Sequence, residues 1–212
     1  MPKNKPWDTS KKLGKSKSRH LRRVLIACED SKSSRYYFES FPIYKKRFEV
    51  RVLGTGMNTV SLVRETIRQI EEQAQKRTPY SATWCVFDRD SFPKENFNEA
   101  FRLAGENKIS VAWANEAFEL WYLLHFNYHD SALARKDYAD KLLKSGLAYD
   151  KADKDIFSKV QGLTAIAVRN AKRLEKFWND KGITNPEKHN PSTSVHKLVE
   201  YLLELAELGC AE

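Results

Sequence analysis

Three carboxylates stand where apolar runs stop. "RVLIACED" ends in Glu29-Asp30, and "TWCVFDRDSF", residues 83–92, runs mostly apolar residues straight into Asp88-Arg89-Asp90. In an extended segment residues i and i+2 point the same way, so Asp88 and Asp90 face together while Arg89 points elsewhere. Glu29 joins them if the two segments are neighbouring strands. Carboxylates that close repel and raise one another's pKa unless a cation sits among them. An all-oxygen donor set selects hard ions such as Mg²⁺ or Mn²⁺, which keep several waters and bridge to substrate phosphates. The competing reading is local, because an Asp after a strand also caps the next helix or makes a turn. A buried-strand terminus seldom needs a carboxylate, which weighs toward the ion.

Other groups stand close to these acids in sequence. Lys32, Arg35 and Arg89 are cations of the kind that offset charge developing on phosphate oxygens, and sequence does not choose among them. Asn115-x-x-Phe118-Glu119-x-Trp121 opens an apolar helix, with Asn115 as its N-cap and a substrate-binding candidate. Glu119 is then either a metal-shell or water-orienting acid or the buried partner of a base. Gly54-Thr55-Gly56-Met57-Asn58-Thr59 suits either a phosphate cradle or a plain strand-to-helix turn. It lacks the Lys-Ser/Thr ending of a nucleotide-triphosphate loop, which argues against an ATPase. His125 and His129 have zinc spacing but no evident third ligand, so they read as core or surface histidines. Trp113, Trp121 and Trp178 read as core rather than as base-stacking platforms.

The elements that must position these groups alternate. Strands are expected at "RVLIACED", "FEVRVLG", "TWCVF" and "ISVAWA". Helices follow at "SKSSRYYFESF", residues 59–77, residues 94–107 and "NEAFELWYLLHF". In the second helix Val63, Ile67, Ile70 and Ala74 share one face. This rhythm predicts an α/β fold, a parallel sheet of about four strands with right-handed crossovers, flanked by helices. Beyond about residue 128 strand signals stop. Ala167, Ala171, Leu174 and Trp178 repeat at helical spacing, as do Val195, Leu198, Val199, Leu202 and Leu205 after a Ser-Thr cap, with a long loop over residues 179–192. The reading is therefore a basic arm over 1–22, an α/β part over 23–128 and a helical extension over 129–212 packed on it.

Charge is concentrated in the arm. Residues 1–23 hold six Lys, three Arg and one Asp, nearly all of the chain's net +9. Few apolar residues accompany them, so disorder in the free state is expected. Such an arm suits polyanions through counterion release, or serves as a solubilising tail. No stretch approaches a membrane span, and no apolar segment follows the first lysines as in a secretory signal. Three cysteines without Cys-x-x-Cys spacing fit a reducing cytoplasm rather than a disulfide framework or a zinc site.

Five segments, "VLIACEDSKSSRYYFESF", "GTGMNTVSLV", "WCVFDRDSF", "ANEAFELWYLLHF" and "NPSTSVHKLVEYL", resemble the RloB family in order and spacing. The resemblance covers nearly everything from residue 22 onward. It implies a Toprim-like catalytic domain, a fold named for topoisomerases and primases. It also implies Mg²⁺-dependent phosphodiester chemistry at a Glu plus Asp-x-Asp site, with those roles on Glu29, Asp88 and Asp90. Family members are associated with bacterial restriction loci and phage defence, and related Toprim effectors are nucleases, some acting on tRNA. The implied partners are nucleic acid, RNA or DNA, and a defence-system protein, with no membrane. The chain departs from the family's frequent Cys-Glu-Gly-x-x-Thr-Glu, carrying Asp30 for the glycine and Ser34 for the second glutamate. A second-acid role at that place is open, with Asp30 a partial substitute. Two readings remain, a metal-dependent nuclease and a non-catalytic regulator that binds nucleic acid or a partner.

Overall fold

The computed structural model describes residues 21–43, 45–90 and 93–210. The basic arm, save its last two residues, lies outside them. Four parallel strands form the sheet: β1 (Arg22–Cys28), β2 (Phe48–Gly54), β3 (Ala82–Asp88) and β4 (Ser110–Asn115). Between them run α1 (Ser33–Glu39), α2 (Thr59–Gln75) and α3 (Lys94–Glu106), and α4 (Glu119–Phe126) follows. The remainder is helical: α5 (Tyr138–Lys144), α6 (Ile156–Val160), α7 (Thr164–Asp180) and α8 (Val195–Cys210). A two-residue strand, β5 (Ser192–Thr193), interrupts that run and pairs antiparallel with β4.

The strands are apolar on both sides because both faces are covered. From β1, Val24, Ile26 and Cys28 enter one core with Val86, Ala112 and side chains of α1 and α4 to α8. Ala27 enters a second core with Cys85, Phe87, Trp113 and the apolar faces of α2 and α3. Alternate strand residues thus feed opposite layers, as the pleat requires. Helix α4 is buried from Glu119 to His125, and Leu120, Trp121, Tyr122, Leu123 and Leu124 have no exposed surface. Burial on that scale stabilises by about 1.5–3 kcal/mol per large side chain. Helix α7 covers α4, and the Asn170 amide donates to the Leu124 carbonyl at 2.8 Å.

Strand order is β2-β1-β3-β4-β5. The chain leaves β1 to one side for β2 and crosses to the other side for β3. Ligand crevices of open parallel sheets form at such a reversal, outside the carboxyl ends of the strands. Here that crevice lies between β1 and β3, which are hydrogen-bonded neighbours.

Two expectations need correction. Asn115 does not cap α4; it is the last residue of β4, and the helix begins four residues later with Phe118 at the cap position. Pairing Asn115 with Ser192 keeps it in the sheet. The Ser-Thr segment is likewise more than a cap. Thr193 Oγ1 accepts from the Val195 amide at 3.1 Å, but Ser192 and Thr193 also form the fifth strand. Two of the three tryptophans read as core sit there, and Trp178 is only half-buried. Trp113 and Trp121 are buried, while Trp178 stacks on His189 with 5.1 Å between ring centroids.

Candidate active site

Glu29 follows the last residue of β1 and extends its ladder, its amide donating to the Val86 carbonyl at 2.8 Å. Both oxygens of its carboxylate are held. Thr59 Oγ1, at the start of α2, donates to Oε1 at 3.1 Å, and the Asp88 amide donates to Oε2 at 3.1 Å. Burial raises the Glu29 pKa, and these two hydrogen bonds oppose the rise. The carboxylate is therefore fixed in orientation by both neighbouring elements.

Asp88 ends β3 between β1 and β4. Burial pushes its carboxyl well above the usual range; the Arg135 guanidinium opposes that, while Glu119 and Glu29 add to it. Arg135 Nη2 donates to Asp88 Oδ2 at 2.8 Å and lies 3.6 Å from Asp90 Oδ2, a charge contact too long for a hydrogen bond. Arg89 turns the other way, with its Nη1 donating to the Asp90 carbonyl at 2.7 Å and its Cζ 5.8 Å from the Phe97 ring centre. The period-2 pattern of Asp88-Arg89-Asp90 thus holds past the strand end.

Glu29, Asp30, Asp88 and Asp90 line one cavity of about 340 Å³ together with Arg135, Ser34 and the Gly56–Asn58 turn. That turn is tied to β1: the Thr55 and Gly56 amides donate to the Cys28 and Glu29 carbonyls at 3.0 and 2.8 Å. Gly54 is required there, because a Cβ would meet Arg35 Cδ at 2.6 Å and Ser31 Cα at 2.7 Å. Asn58 caps α2, accepting from the Ser61 amide at 3.1 Å.

Asp30 is committed locally. Its carboxylate accepts from the Lys32 amide at 2.7 Å and the Ser34 amide at 3.1 Å, and also from the Ser34 hydroxyl. The two departures from the family pattern therefore touch each other at the start of α1. Glu119 opens α4 and is buried, but it does not line the cavity. Tyr149 Oη donates to Glu119 Oε1 at 2.6 Å, and Ser33 Oγ lies 2.9 Å from the same hydroxyl. Of the expected cations, Lys32 is exposed at the N-terminus of α1, and Arg35 pairs with Glu39 at 2.8 Å beside a separate cavity. None of Lys32, Arg35, Arg89 or Asn115 lines the acidic cavity.

Sequence reasoning missed Arg135 and Tyr149. Both lie in the helical second half, and nothing in their local sequence distinguishes them from solvated residues. The one available signal was electrostatic: converging acids call for a cation, though not for a particular one.

The donor set is carboxylate oxygen and fits a hard divalent ion. As the side chains stand, no three His, Cys, Asp or Glu among the described residues are grouped to hold one. The guanidinium of Arg135 lies against the two aspartates instead. His125 is fully buried, with Nδ1 2.9 Å from the Trp121 carbonyl.

Fold and site together define an α/β protein with an acidic crevice at the reversal point of a mostly parallel sheet. The model of the RloB-like protein family matches residues 24–202, and the chain belongs to that family. No curated protein and no solved structure matches it significantly. Among the described residues, no helix is long and apolar enough to cross a membrane.

Proposed function

We propose that this chain is a Mg²⁺-dependent nuclease of Toprim type, hydrolysing phosphodiester bonds in RNA or DNA. The observation that carries the proposal is the convergence of Glu29, Asp88 and Asp90 on one cavity at the sheet's reversal point. A divalent ion held by these three carboxylates would neutralise charge on the scissile phosphate and acidify an attacking water. Glu29, with both oxygens oriented and its pKa raised by burial, is suited to hold that water and accept its proton. Glu119, held by Tyr149, supplies fixed negative charge behind Asp88. The same proposal includes a cytoplasmic role in bacterial phage defence, alongside a partner protein that would trigger or restrain cleavage.

One observation favours a second reading, a regulator that binds nucleic acid or a partner without cleaving: Arg135 already neutralises part of the acidic site. A cleavage assay on mixed RNA and DNA, with and without Mg²⁺, separates the two. The nuclease reading expects Mg²⁺-dependent cleavage that Asp88→Asn abolishes while nucleic-acid binding persists. Binding without cleavage at any Mg²⁺ or Mn²⁺ concentration, in the presence of the partner as well, would hand the function to the second reading.

A further inference from the structure

Arg135 is placed unlike the other cations near the site. It rides on a 3-10 turn, Arg135–Asp137, between α4 and α5, and reaches across to the strand ends. Its side chain is 42% exposed while that of Asp88 is 17% exposed, so a half-exposed stem delivers its head to more buried acids. Both aspartates are reached through one nitrogen, Nη2. The other guanidinium donors make no hydrogen bond to a described residue. A planar fork that can grip a phosphate with two parallel hydrogen bonds is here touching carboxylates at a single point.

We propose that Arg135 is a counter-ion with two positions: on Asp88 and Asp90 when no metal is bound, and on the substrate phosphate once a divalent ion takes those carboxylates. The proposal rests on the metal-dependent reading of the site and adds its regulation. Ion and guanidinium would both draw on the Asp88 carboxylate, so each would weaken the other's hold. The phosphate that the ion would bring offers the fork the paired acceptors that two separate aspartates do not. Nucleic acid and metal would then bind cooperatively, because either one takes up a charge that the other releases.

The test uses the full chain, wild type and Arg135→Ala, with Arg135→Gln as a second variant should alanine impair folding. Titration with Mn²⁺ alone, followed calorimetrically, is expected to show binding about tenfold tighter or more in the variants, the scale of removing one competing unit charge. In a second arm a short oligonucleotide is titrated in Ca²⁺ and in EDTA. Wild type should bind it more tightly in Ca²⁺, and the variants should lose most of that gain while matching wild type in EDTA. Equal or weaker Mn²⁺ affinity in both variants overturns the Arg135 proposal and leaves the metal site standing. An unchanged Ca²⁺ gain overturns the transfer to phosphate. Failure of wild type and variants alike to bind Mn²⁺ overturns the metal-site reading and this proposal together.

Discussion

Asp88 is buried by more than its one strong partner offsets, and that imbalance has a measurable consequence. Its carboxyl pKa is raised in the fold. A raised folded-state pKa means the protonated form is favoured on folding, so this group's contribution to stability is present in acid and is lost as pH rises through the folded pKa. Asp88→Asn removes that loss. At neutral pH without metal, its melting temperature should equal or exceed that of wild type, while the Mg²⁺-induced rise expected of wild type should vanish. A marked fall in the metal-free variant would show that the Arg135 contact outweighs the cost of burial. Replacing Asp30 should have the opposite effect on stability. It accepts two amide hydrogen bonds at the start of α1, so Asp30→Ala should cost about 1 kcal/mol, read from denaturant unfolding. The facing of Asp88 and Asp90 was legible because it needs only the pleat. The contact between Asp30 and Ser34 was not, since Asp30 precedes α1 and its side chain can point anywhere until that helix is set.

Strands and amphipathic helices were legible because periodicity reports which face is buried. β2 matches its expected span of residues 48–54, and α2 ends two residues before its expected limit. Helix α4 was misread at its start because Asn115 is a good capping residue by type, while pairing with Ser192 draws it into β4. β5 was illegible for the related reason that two residues carry no period. Buried His125 gives α4 its own pH response. His125 has no exposed surface, and burial lowers its pKa to about 4 from an ordinary 6.5, so it stays neutral in the fold. The unfolded chain then binds the extra proton between those two values, and stability falls as pH drops through that window. The loss should reach roughly 3 kcal/mol by the lower end. Glu29 and Asp88 respond in the opposite direction, so the wild-type curve is a composite. Comparison with His125→Leu isolates the histidine, whose removal should flatten the decline between pH 6.5 and 4. An unaltered slope would assign the acid sensitivity elsewhere.

At the scale of the whole molecule, charge and core are divided differently. The arm holds most of the net positive charge, while the acidic cavity and both cores belong to the described body. Removing residues 1–20 should leave the melting temperature unchanged, weaken nucleic-acid binding and reduce the slope of log affinity against log salt. A slope identical to that of the full chain would show that the arm touches no phosphate. The larger core mixes the four parallel strands with α1 and α4 to α8, and the sheet takes its last strand from residues 192–193. These connections have a consequence for how the protein is made. A ribosome releases Glu29 and Asp88 long before it releases Arg135, and Ser192 later still. The nascent chain therefore passes through a stage with its acids translated but their counter-ion absent and the outer edge of β4 unpaired. For a proposed nuclease synthesised amid ribosomes, messenger RNA and tRNA, the reversal-point crevice is not fully lined until Arg135 has emerged, well after its acids. The delay between acids and counter-ion is then a property of connectivity alone.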